Sequence, residues 1–158
     1  MTVMNKSIGI IGTGSYLPEK VLTNFDLEKM VDTNDQWIRE RTGISERRVA
    51  PEGMKTSDMA TEAAKKALDA AHLAAEDIDM IIVATITGDC PTPSTACIVQ
   101  ANLGANKAGA FDIGADCSGF VYGVNTAAAM INCGMAKHVL VVGAEELSRI
   151  VNWKDRGT

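Results

Sequence analysis

Four cysteines, Cys90, Cys97, Cys117 and Cys133, are the strongest nucleophiles in the chain, and their local settings differ. Their spacings fit neither a zinc site nor a Cys-x-x-Cys redox pair, so in a reducing compartment they are expected to be free thiols. Cys117 follows the apolar run 110–113 and opens the helical pattern 117–132. A thiol at a helix start faces unpaired N–H groups and the positive end of the helix dipole, which favours the thiolate. Strand, sharp turn, nucleophile and helix in succession also present a side chain at the top of an α/β sheet. Cys133 lies at the other end of the same pattern, where the dipole opposes ionisation. Cys97 falls inside a short helix as a core thiol, and Cys90 precedes Pro91 in a loop. Position singles out Cys117; the competing reading is one more small buried residue.

Trp37 and Arg41 stand four apart on one helical pattern and therefore share a face. Such a pair is either a surface aromatic–cation contact or a platform that stacks on a flat ligand. Gly12, Thr13 and Gly14 follow an apolar run, as in a dinucleotide-binding turn. The third glycine of that fingerprint would fall at Leu17, and Pro18 follows it, so a nicotinamide site is rejected. His72 ends an alanine-rich helix and His138 precedes a strand; neither sits in a motif.

These residues need elements to hold them. Apolar runs at 8–11, 80–86, 110–113 and 139–142 are continuous rather than alternating, as for strands covered on both faces. Between them, a stripe from Met59 to Ala71 at helical spacing predicts a helix beginning near Ser57 and Asp58. A second helix is expected from Thr33 and Gln36 in capping-box spacing to Gly43, and a third from Thr92 and Pro93 to Gly104. The pattern 117–132 is apolar almost all round, which predicts a helix buried between two layers. Segment 43–56 reads as an exposed loop. Strands alternating with helices predict an α/β layered fold without internal repeat or linker.

The 158 residues, 46% hydrophobic and 22% charged, suffice for one compact domain or half of a larger fold. A net charge of −5 with scattered basic residues offers no nucleic-acid footprint. No stretch reaches membrane-span length, and residues 1–14 lack the order of a signal peptide, so the cytosol is the expected compartment. The final residues 153–158 form neither a capped helix nor a strand, and the chain is expected to be cut there.

The run 110–120, AFDIGADCSGF, resembles the nucleophile motif of the β-ketoacyl-acyl-carrier-protein synthase III branch of thiolase-fold condensing enzymes. Three further segments agree in order and spacing: GTGSYLP at 12–18, DQWIRERTGI at 35–44 and DRGT at 155–158. The resemblance covers essentially the whole chain. It implies one half, 1–158, of a thiolase-like layered α/β/α fold, completed by a second half that carries a catalytic His and Asn beyond Thr158, in an enzyme that forms a homodimer. It implies Cys117 as the acyl-carrying nucleophile, with Trp37, Arg41 and Arg156 lining the coenzyme A entrance. Thr33 also matches a coenzyme-site position, although capping already accounts for it. Thr92 would reach across the dimer to the partner's acyl pocket and Leu147 would line a pocket. The implied substrates are an acyl-CoA and a malonyl-acyl-carrier protein, with no metal or redox cofactor.

Asp116 departs from the pattern, where a small neutral residue is expected. A carboxylate aimed at the sulfur would oppose the thiolate, and capping of the following helix is the expected role instead. Related polyketide- or quinolone-type condensing enzymes remain alternatives, as does a non-catalytic half-domain that supports a second chain.

Overall fold

A computed structural model describes residues 7–158. The signal-peptide reading of 1–14 therefore falls partly outside the described residues. The described residues divide into two compact units, one built from 7–16 together with 55–145, the other from 17–54 with 146–158.

The first unit centres on a parallel three-stranded sheet. The strands are β3 (Met80–Ala84), β4 (Gly109–Ile113) and β5 (Val139–Gly143), in the order β4-β3-β5. Ile82 lies level with Phe111 and Val141. Alternate side chains of a strand point to opposite faces. Ile81, Val83, Leu140 and Val142 accordingly join Ala60, Ala64 and Leu68 of α3 (Thr56–Ala71) and Ala96 and Val99 of α4 (Thr95–Leu103) in one core. On the other face α5 (Gly119–Asn132) lies on Ile82 and Val141, and a Cβ on Gly123 would come within 2.9 Å of Val141 Cγ1. The layers are thus helix, sheet, helix, as the apolar runs predict.

Helix α5 departs from the expectation of burial all round. Its small residues Gly119, Gly123 and Ala127 are buried, whereas Phe120, Val121 and Tyr122 are at least half exposed. Only one side of the helix has a layer to pack on among the described residues. Segment 8–11 is not a strand; Ile10 and Ile11 are exposed. The chain instead runs closely past α3, where a Cβ on Gly12 or Gly14 would meet Ala67 O at 2.4 Å or Ala63 O at 2.3 Å. That approach, rather than a phosphate turn, is what the two glycines permit.

Helix α5 begins at Gly119, two residues after Cys117, and the starts of α4 and α3 shift because carboxylates on other elements hold their first N–H groups. Helix α4 begins at Thr95 with Ser94 as its cap, not at Thr92 and Pro93. The Asp112 carboxylate on β4 accepts the Thr95 and Ala96 N–H groups, each at 2.7 Å, and fixes that register. Helix α3 starts at Thr56, where Asp89 accepts from the Ser57 N–H and hydroxyl at 2.9 and 2.5 Å. Its other end turns through His72 in the left-handed region at φ 54°, giving that histidine a backbone role.

The second unit contains the short antiparallel pair β1 (Val21–Thr23) and β2 (Glu46–Arg48), with helices α1 (Asn24–Leu27) and α2 (Asp35–Thr42). Strand β2 lies inside the segment 43–56 read from sequence as a loop; its pairing with β1 supplies the order that its charged sequence conceals. Helix α2 is capped by Asn34, whose side chain accepts the Trp37 N–H at 2.8 Å, so the cap lies one residue after Thr33. It ends at Gly43 in the left-handed region, as expected.

Candidate functional site

Cys117 lies just beyond the C-terminal end of β4, in the 3-10 turn Asp116–Ser118 that leads into α5. The turn is made by Asp116 at φ 47°, a left-handed backbone uncommon for a residue with a side chain. Its carbonyl accepts the Gly119 N–H. The chain can close on the sheet because residue 119 is glycine: a Cβ there would stand 3.0 Å from Ala84 Cβ. Cys117 is exposed, as are Cys90 and Cys133, while Cys97 is half-buried and receives the Ser94 hydroxyl at 3.2 Å. The capping role expected of Asp116 is corrected: among the described residues its carboxylate accepts no first-turn N–H, and its contribution is the backbone turn.

The same sheet edge is shaped by Glu145, which directly follows β5 and Ala144. Its carboxylate accepts the Ile86 and Thr87 N–H groups at 2.9 and 3.1 Å and the Thr85 hydroxyl at 3.3 Å, and it is also bonded by the Thr87 hydroxyl. Sequence reasoning missed both Glu145 and Asp112. The available signal was an acidic residue within or just after an apolar strand, where it must find donors or unfold the strand.

In the second unit, Trp37 is flanked by two guanidinium groups. Arg41 Cζ lies 4.3 Å from the ring centroid and Arg156 Cζ 4.7 Å, both within cation–π range. Arg156 also faces Asp32 at 3.8 Å. Leu147 stands half exposed in the 3-10 turn Leu147–Arg149 of this unit. Thr92 belongs to the first unit, exposed in the loop before Ser94, and its carbonyl lies 3.5 Å from Cys90 Sγ. Trp37, Arg41 and Arg156 are therefore brought together within one unit, while Cys117 and Thr92 belong to the other.

The charges around α2 are ordered as well. Asp35 is held below the usual carboxylate range by the Asn24 amide and by Arg39, which bonds both its oxygens. Asp26 is lowered to about 2, chiefly by the Thr23 hydroxyl at 2.6 Å and then by the Thr23 N–H and Lys29. In the first unit Asp79 is lowered by the His138 and Lys137 N–H groups, which tie the start of β3 to that of β5. Among the described residues no three His, Cys, Asp or Glu side chains converge as a metal site, and no helix is long and apolar enough to cross a membrane.

A parallel sheet between helical layers, with a cysteine turn at its C-terminal edge leading into the helix, defines half of a thiolase-like condensing-enzyme fold. The family model of 3-oxoacyl-[acyl-carrier-protein] synthase III matches residues 111–158. The β-ketoacyl-[acyl-carrier-protein] synthase III of Caldanaerobacter subterraneus is 66% identical over 150 residues, covering 95% of this chain and 45% of that protein. The crystal structure of 3-oxoacyl-[acyl-carrier-protein] synthase III from Aquifex aeolicus superposes with a TM-score of 0.91 at 58% identity, covering 94% of this chain and 48% of that one. The priming β-ketosynthase of the R1128 polyketide pathway gives a TM-score of 0.90 at 34% identity, covering 93% of this chain and 44% of that one. The chain belongs to the β-ketoacyl-acyl-carrier-protein synthase III family. It spans about half the length of the curated relatives it matches.

Proposed function

We propose that this chain supplies the acyl-accepting part of a β-ketoacyl-acyl-carrier-protein synthase III, which begins fatty-acid synthesis by a decarboxylating condensation. The observation that carries the reading is the placement of Cys117: exposed, at the C-terminal edge of a parallel sheet, on a turn that leads into α5. The Cys117 thiolate attacks the carbonyl carbon of an acyl-CoA, and collapse of the tetrahedral adduct expels coenzyme A as its thiolate. The Cys117 N–H helps to stabilise the oxyanion. In the second step malonyl-acyl-carrier protein loses carbon dioxide, and the resulting carbanion attacks the acyl thioester. The Cys117 sulfur leaves as thiolate, and β-ketoacyl-acyl-carrier protein is the product. Dividing the reaction through a covalent intermediate replaces one difficult encounter with two easier steps. The His and Asn that assist condensation belong to the second half of the family fold, so the chain alone is inactive in condensation.

Trp37, Arg41 and Arg156 recognise the coenzyme, because a flat indole and planar guanidinium groups stack on adenine and arginine binds phosphate. Thr92 and Leu147 bound the acyl pocket, Thr92 from the partner of a homodimer. The reaction needs no metal or redox cofactor, and its compartment is the cytosol. Identity of 66% to a β-ketoacyl-[acyl-carrier-protein] synthase III against 34% to a polyketide priming enzyme supports the fatty-acid reading over its polyketide relative.

The test is acyl transfer itself. With the remainder of the family fold present, a short acyl-CoA should leave its acyl mass on the Cys117 peptide and on no other cysteine. Absence of that adduct, with the enzyme folded, would leave the non-catalytic half-domain as the better reading.

A further inference from the structure

Helix α2 presents Trp37 and Arg41, yet it has only eight residues, too few to hold itself in water. What fixes it lies on another element. Asn24, the first residue of α1, is fully buried, with both Nδ2 hydrogens and Oδ1 hydrogen-bonded. One Nδ2–H donates to Asp35 Oδ1 at 2.8 Å, at the first residue of α2. The other donates to Ile44 O at 2.8 Å, one residue past the Gly43 cap. Arg47 on β2 donates to Asn24 Oδ1 at 2.6 Å, and the Asn24 N–H donates to Ser45 O at 3.1 Å. One amide thus clasps both ends of the helix that carries Trp37, and braces that clasp against β2. Glu28 adds a bond from the Asp35 N–H at 2.8 Å, but from an exposed position.

We propose that Asn24 is a positioning residue for acyl-CoA recognition, setting the angle at which Trp37 and Arg41 are presented. The assignment rests on the reading of Trp37, Arg41 and Arg156 as the coenzyme-binding group. A buried side chain with two donors and one acceptor in this geometry has no equal among the other residues: aspartate lacks both donors and leucine lacks every bond. Because a buried amide left without partners destabilises its surroundings, substitution here lowers stability in any case. The positioning role is therefore read from what stability alone does not move.

The experiment uses the enzyme with both halves of the family fold and compares Asn24→Asp, Asn24→Ala, Arg47→Met and Trp37→Ala. Asn24→Asp keeps the volume and the Arg47 bond but turns both donated bonds into repulsion from Asp35 and the Ile44 carbonyl. Asn24→Ala removes them without adding a charge. KM is read on whichever variant remains folded, and Trp37 emission on both. The expected result is a KM for acyl-CoA raised about tenfold, as for loss of hydrogen bonds to a charged partner, with kcat within about twofold. In a Trp153→Phe background, Trp37 emission should shift in both Asn24 variants. Arg47→Met removes only the brace; it should lower Tm while leaving KM within about twofold of the parent. A KM unchanged in every folded Asn24 variant, while Trp37→Ala raises it, would overturn the Asn24 assignment alone. If Trp37→Ala also leaves KM unchanged, the coenzyme reading of that cluster falls, and the Asn24 assignment with it.

Discussion

The Arg156 guanidinium lies 4.7 Å from the centroid of the Trp37 ring, although the two residues come from distant parts of the chain. Arg41, on the same helix as Trp37, is 4.3 Å from that ring. The indole therefore has one cationic neighbour supplied by helical spacing and one supplied by tertiary folding.

Trp37→Ala and Arg156→Ala should each weaken use of acyl-CoA more than turnover of an already acylated enzyme. Loss of one stacked contact costs about 1–3 kcal/mol in comparable base-stacking sites. Separate measurement of acylation and condensation rates checks this; equal losses in both steps would rule out a purely coenzyme-binding role.

Replacement of Gly14 by alanine should destabilise the first unit by roughly 1–3 kcal/mol or more, since the new Cβ would fall 2.3 Å from Ala63 O and 2.5 Å from Ala67 N. Gly9→Ala is the control, with no atom within 4 Å of the added carbon. Denaturant midpoints of the two variants should differ in that order. Equal midpoints would mean that the segment at Gly14 does not lie against α3 in solution.

Stability of the second unit should fall in acid. Asp26 is lowered from 3.8 to about 2 by the Thr23 hydroxyl first, and Asp35 is lowered by the Asn24 amide first. A carboxylate with a depressed folded-state pKa contributes stability above its unfolded value and loses it as pH falls toward its folded one. Unfolding midpoints should thus lose the Asp26 contribution between about pH 4 and about pH 2, the window set by those two values. In an Asp26→Asn variant the deficit relative to the parent should shrink across that window. A constant deficit down to pH 2 would contradict the Thr23–Asp26 capping bonds.

Thr92→Phe should shorten the acyl pocket in the assembled enzyme. Longer acyl-CoA primers should lose kcat/KM while acetyl-CoA is spared, because each methylene excluded from an apolar pocket is worth about 0.8 kcal/mol. An unchanged profile across chain lengths would show that residue 92 does not gate that pocket.

The elements around the candidate nucleophile were legible because their signals are local. A continuous apolar run gives β4, the glycine at 119 admits the close turn, and the helical pattern gives α5, so Cys117 is placed between them by neighbouring residues alone. Gly43 ends α2 in the sequence and in the structure for the same reason, a left-handed backbone that glycine adopts freely. The four-residue spacing of Trp37 and Arg41 likewise determined their contact.

Only the tertiary structure decided the rest. Arg156 reaches Trp37, Asn24 clasps α2, Asp112 sets the start of α4, and Glu145 gathers the residues after β3. In each case a polar group finds partners on an element far away in the chain, and no periodicity records which one. Helix α5 makes the same point from the apolar side: its sequence determined that it would be hydrophobic all round, but which face is covered depends on the layers present to cover it. Local conformation follows from neighbouring side chains, whereas burial and long-range hydrogen bonds depend on how separate elements come to rest against one another.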